Sequence, residues 1–168
     1  HYPVDVNVDN SGNIYVLEYW NNRIKKFDSA GKYIKSFGGY GSNCSQWRNA
    51  RQFDIKDNLI YISDTNNYRF VVLTLDGNCH TTKLVSHLRS SPIAMAVGGG
   101  YAWASGSDRI ASHFKPSMNA NSGGNVYNNE GGGSNFIWGM SWNGAGSRIA
   151  YANSVSYTHL TLPTIYSV

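Results

Sequence analysis

An all-β fold, a partial β-propeller of about three and a half four-stranded antiparallel blades in an incomplete ring, is predicted by three observations. Asn13–Phe27 reads NIYVLEYWNNRIKKF and Leu59–Leu73 answers with LIYISDTNNYRFVVL, so that Arg23 and Arg69, like Tyr15 and Tyr61, stand 46 residues apart. A period in the forties, with aromatic and β-branched runs on either side of a polar turn, is the signature of a propeller blade. The apolar runs are short and bounded by Asn, Asp and Gly, which marks strands rather than helices. A single four-stranded sheet cannot bury both of its faces, so the units must stack on one another.

Taken in order, Val4–Val8 and Phe53–Ile55 open the first two units. Ile14–Leu17 and Ile60–Ile62 follow as second strands, and third strands begin at Arg23 and Arg69. Tyr33–Phe37 closes the first unit after the turn Ser29-Ala30-Gly31. Two weaker echoes come later. Pro92–Ile110 gives strand, Gly turn, strand and a short turn into Arg109-Ile110, and Ile137–Asn153 gives strand, Gly turn and strand. The expected blades span about 3–37, 50–88, 92–127 and 136–154 within one domain, 1–154. Between the last two lies an Asn-, Gly- and Ser-rich stretch, 116–135, read as a long exposed loop in which Val126-Tyr127 remains of an outer strand.

The stretches PVDVNVDNSGNIYVLEYWNNRIKKFDSAGKYIKSFG and FDIKDNLIYISDTNNYRFVVLTLDGN resemble the NHL repeat, over about Pro3–Asn78. The third unit is similar more loosely, and SWNGAGSRIAYANS in the fourth resembles WD40-like blades of the TolB type. The resemblance implies a closed ring, commonly six-bladed, larger than this chain contains. It also implies that an acidic residue after the second strand and an Arg opening the third hold the turn between them. Asp64 fits that pattern and Glu18 departs from it, while Arg23, Arg69 and Arg109 occupy the Arg position.

The C-terminal VSYTHLTLPT, Val155–Thr164, resembles a translated sequencing adapter, and Ile165–Val168 fits its ending. Residues 155–168 are therefore read as a non-native tail and set aside from fold reasoning. With His1 in place of Met, the chain is read as a fragment. A fragment of a ring leaves blade flanks uncovered, and residues 2–154 expressed alone are expected to aggregate or to order only in part.

Composition suits many short strands: 41% hydrophobic residues, 18 Gly and 12 Tyr in 168 residues. No apolar run approaches the roughly 18 residues needed to span a bilayer. Net charge is +4 and the isoelectric point about 9.1, with no block of like charges. Ordinary solubility explains this better than a polyanion partner. In an alternating third strand Arg23 and Lys25 share one face and Lys26 takes the other, so no continuous basic stripe is established. Cys44 and Cys79 lie in loop-like sequence 35 residues apart, and spacing alone leaves a disulfide and two free thiols both open. The Asn- and Ser-rich, Lys-poor composition leans toward an extracellular or envelope setting.

Catalytic motifs are missing from the sequence. His1, His80, His87, His113 and His159 show no metal-ligand spacing, and Gly98–Gly100 and Gly131–Gly133 precede no helix that could hold phosphate. No cofactor is expected. In a propeller the turns between second and third strands emerge on the same side as the interblade loops. That side would gather Tyr19, Trp20, Asn21, Tyr40, Trp47, Arg48, Arg51, Asn67 and Tyr68. Aromatics beside arginines form a stacking platform; for Trp47, packing inside the seam between blades is the competing expectation. The expected function is a non-catalytic scaffold binding a protein, peptide or glycan. The alternatives are a fragment of a six-bladed lyase or hydrolase, whose ligands would come from several blades, and an RNA-binding NHL domain.

Overall fold

The computed structural model describes residues 2–84, 92, 94–98, 101–105, 110–114, 125–127, 137–142 and 149–153. Arg109, most of the 116–135 stretch and the 155–168 tail lie outside the described residues. Strands β1 (Pro3–Val8), β2 (Ile14–Glu18), β3 (Arg23–Phe27) and β4 (Tyr33–Gly38) form one antiparallel sheet in that order. A second holds β5 (Phe53–Lys56), β6 (Leu59–Asp64), β7 (Arg69–Thr74) and β8 (Cys79–Leu84). A third holds β9 (Ala94–Gly98), β10 (Tyr101–Ser105), β11 (Ile110–Phe114) and β12 (Asn125–Tyr127), so the Val126-Tyr127 remnant is indeed an outer strand. β13 (Ile137–Trp142) and β14 (Ile149–Asn153) make a hairpin. Among the described residues the sheets do not close into a ring.

Local chemistry fixes the turns. The Asp9 carboxylate accepts from the backbone N–H of Ser11 and Asn13, the Asn13 amide and the Tyr15 hydroxyl, at 2.9–3.0 Å, shaping the β1–β2 connection. Asp28 accepts in the same way from Ala30 and Lys32 before β4. The β5–β6 hairpin turns on two residues, Asp57 and Asn58, with φ of 50° and 61°. Both positive values belong to the turn whose twist matches paired strands, and Asp and Asn tolerate them.

Side chains alternate between the two faces of each sheet. Tyr15, Leu17 and Ile24 of the first sheet meet Ile60, Ile62, Val71 and Leu73 of the second, joined by Phe53 and by Trp47 and Ala50 from the connecting loop. The other side of the second sheet, Tyr61, Phe70 and Val72, packs on Met95, Val97 and Ala102 of the third. The second sheet is covered on both faces, which is why FVVL is continuously apolar whereas RIKKF carries three cations. On the first sheet Val6 and Val8 remain 59% and 57% exposed, facing away from the second. Lys26 lies over the Tyr15 ring and donates to the Leu75 carbonyl, so its stem covers the seam while its charge reaches the rim.

A repeated polar device joins the first strands of successive sheets. The Phe53 N–H donates to Asp5 Oδ2 at 2.8 Å, and Asn7 Nδ2 donates to the Phe53 carbonyl at 2.8 Å. One sheet further on, the Met95 N–H donates to Gln52 Oε1 and the Val97 N–H to Asp54 Oδ2, both at 2.9 Å. Side chains thus satisfy strand-edge groups that no neighbouring strand pairs. Cys44 and Cys79 form a disulfide with Cα atoms 5.5 Å apart, tying the loop after β4 to the start of β8 and deciding the question the spacing left open.

Two expected outcomes test this architecture. Burial pushes the Asp5 carboxyl up to about 6, with the Asp54 charge adding to the rise and the Phe53 and Val6 N–H groups opposing it. The folded chain therefore holds this proton more tightly than the unfolded chain, whose carboxyl titrates near 3.8. The stabilisation is complete below that value and is lost as pH rises through about 6. Urea midpoints across this window should fall with pH in the wild type and fall less in Asp5→Asn, whose amide oxygen still accepts from Phe53; parallel curves would refute the assignment. Replacing Cys44 and Cys79 together by Ser should lower unfolding free energy by about 2–4 kcal/mol. An unchanged denaturant midpoint on adding a reductant would contradict the bond.

Candidate functional site

The site begins with a repeated triad. At the end of β2, Glu18 accepts from Asn21 Nδ2 at 2.9 Å and Arg23 Nε at 2.6 Å; at the end of β6, Asp64 accepts from Asn67 Nδ2 at 2.8 Å and Arg69 Nε at 2.7 Å. All three positions recur at the 46-residue spacing, so Glu does in the first sheet what Asp does in the second. The residue before each Arg is left-handed, Asn22 at φ 49° and Tyr68 at φ 55°, which turns the chain sharply into the next strand. Glu18 also pairs with Lys25 at 2.8 Å. Burial favours its neutral form, but the bonds from Lys25, Asn21 and Arg23 prevail and hold it down to about 2.

In the second sheet the triad reaches further. Asp64 Oδ1 accepts from the Arg48 N–H at 2.8 Å. Arg69 donates from Nη1 to the Ser42 carbonyl and from Nη2 to those of Asn43 and Gln46, at 2.7–3.0 Å, while Asn67 donates to the Gly41 carbonyl. The pair is buried and gathers the carbonyls of the loop between β4 and β5. That loop closes on itself through the Trp47 N–H and Gly39 carbonyl at 3.0 Å. Gly38, at φ 110°, lets the Trp47 ring lie against the backbone, where any β-carbon would collide with it. Asn22 Oδ1 accepts from the Asn49 N–H at 2.6 Å, and Asn66 donates its N–H to the Arg48 carbonyl. Both strand-two-to-three turns thus hold the interblade loop on one side of the molecule.

Among the sequence candidates, this side presents Trp20 at 67% exposure, Tyr40 at 66% and Tyr68 at 52%. Tyr19 is half-buried, its ring edge-to-face with Trp20 at 4.8 Å and under the Arg51 guanidinium at 5.1 Å. Arg48 lies over the Tyr40 ring at the same distance. Three candidates play other parts. Trp47 is fully buried in the seam, as its competing expectation held, and its large apolar surface explains why. Asn21 and Asn67 direct their amides to the triad carboxylates and so shape the turns. Tyr2 was not foreseen: it is 58% exposed, its ring sits 6.2 Å from that of Tyr19, and its carbonyl accepts from the Tyr19 N–H. Its place just ahead of β1, opposite the end of β2, is the signal that locates it.

Chemically, this is an aromatic surface with two arginines stacked on tyrosines. Among the described residues, no three His, Cys, Asp or Glu side chains converge to hold a metal. No described helix is long and apolar enough to cross a membrane.

Comparisons with known proteins bear on the fold. The NHL repeat model matches residues 1–27. Among solved structures, a streptogramin B lyase aligns with a TM-score of 0.69 at 12% identity, covering 89% of this chain and 47% of that one. The chain thus spans about half the length of that structure, and at such identity the likeness concerns the fold alone. No curated protein matches the sequence. The chain is a β-propeller fold whose first blade carries an NHL repeat match over residues 1–27.

Proposed function

We propose that this chain is part of a non-catalytic binding scaffold that presents the loop side of its first two blades to a protein, peptide or glycan. The observation that carries the reading is the exposure of Trp20, Tyr40 and Tyr68 on turns anchored by buried carboxylates. Exposed aromatics on rigid turns give contact area at little ordering cost, and Trp, Tyr and Arg dominate the energetics of interfaces. Tyr68 adds weight, because a bulky residue in the left-handed region strains the backbone and such strain gathers at functional positions. The Cys44–Cys79 bond favours an oxidising, extracellular setting.

Among the described residues, no three His, Cys, Asp or Glu side chains gather on this face as a metal-assisted lyase or hydrolase would need. The binding reading is tested by panning a phage-displayed random peptide library on the wild-type chain. Peptides so enriched should bind Trp20→Ala at least roughly tenfold more weakly, and Arg48→Ala likewise, a loss of about 1.4 kcal/mol. Equal affinity for wild type and both variants would remove this face from consideration.

A further inference from the structure

Several of the described cations are already engaged. Arg23 and Lys25 are paired with Glu18, Arg69 with Asp64 and Lys35 with Asp76, and Lys26 donates to a carbonyl. Arg48 and Arg51 stand apart. Each lies over a tyrosine ring, and neither is paired with a carboxylate among the described residues. The Arg48 Nε is moreover buried without an acceptor among them. A guanidinium stacked by one face on an aromatic ring keeps its edge donors in a fixed fork, the geometry that matches a carboxylate. The loop side of the molecule therefore combines exposed aromatic area with two oriented, uncompensated positive charges.

We propose that this face docks an acidic peptide segment of a partner protein, with carboxylates on Arg48 and Arg51 and apolar side chains against Trp20 and Tyr40. The inference rests on the binding reading above and adds the ligand's chemistry. Charge complementarity selects the occupant. Two unpaired cations suit one or two carboxylates, whereas tracking a nucleic-acid backbone commonly takes about six to ten phosphate contacts. The exposed aromatic residues Trp20 and Tyr40 supply the apolar half of the contact that a peptide side chain would fill.

The test uses the full chain and synthetic versions of peptides enriched by the panning described above, read by fluorescence anisotropy. The enriched pool should carry more Asp and Glu than the naive library. Replacing those acids by Asn and Gln should weaken binding about tenfold or more, and Arg48→Gln with Arg51→Gln should do the same. Arg51→Lys, which keeps charge without the fork, should fall between. Affinity should decline with salt for the wild type and hardly at all for the double Gln variant. Thermal melts of each variant matching the wild type establish that the fold is kept; if the double variant melts early, the acid-to-amide peptides read the same interaction on the wild-type protein.

Enriched peptides without an acidic excess, yet sensitive to Trp20→Ala, would overturn this proposal and leave the binding reading standing. Peptides whose affinity neither Trp20→Ala nor Arg48→Ala changes would overturn both. An oligouridine that competes more strongly than the acidic peptides would overturn it in favour of RNA.

Discussion

The buried contact between Asp64 and Arg69 is the constraint on which the presented surface depends. Three donors converge on the Asp64 carboxylate: the Arg69 Nε, the Asn67 amide and the Arg48 backbone. Arg69 then extends to the carbonyls of Ser42, Asn43 and Gln46 in the interblade loop. A buried charge pair is costly to desolvate and holds only when its remaining donors and lone pairs are satisfied, as they are here. Removing one partner of such a pair commonly costs about 3–5 kcal/mol. The loop that carries Tyr40, Arg48 and Arg51 is thus held by the second blade as well as by its own internal bonds.

The seam explains why that loop is rigid enough to present a surface. Trp47 anchors it from inside, among residues of both sheets, while the disulfide holds it from β8. On the opposite edge of the sheets, Asp5, Asn7, Gln52 and Asp54 bind the first strand of one blade to that of the next. Blade order is therefore fixed at the inner strands by directed hydrogen bonds and between them by apolar packing. The turns at the end of this stack inherit their positions from both.

Much of this was legible in the sequence, because the features that repeat are those a strand must have. The spacing of Tyr15 to Tyr61 and Arg23 to Arg69 placed the strands, and the equivalence is physical: both arginines bind the acid five residues before them. The contrast between RIKKF and RFVVL shows that one sheet has a wet face and the other has none. Bonds between blades were not legible. A side chain such as Asp5 that accepts from a backbone 48 residues away has no local pattern, since any polar residue at an inward position looks the same. Of the candidate site, the side of the molecule was readable and the individual roles were not. Asn21 and Asn67 look like surface residues until their carboxylate partners are seen, and Tyr2 reaches the face only through pairing of β1 with β2.

Hydrogen exchange of Arg69→Lys compared with the wild type probes the central contact directly. Lysine keeps the charge on Asp64 but has no planar fork to span the loop carbonyls. The Trp47 and Arg48 amides should exchange markedly faster in the variant, with the disulfide intact and the amides of the β6–β7 ladder still protected. Unchanged protection at Trp47 and Arg48 would show that the loop is held without Arg69 and would contradict the account.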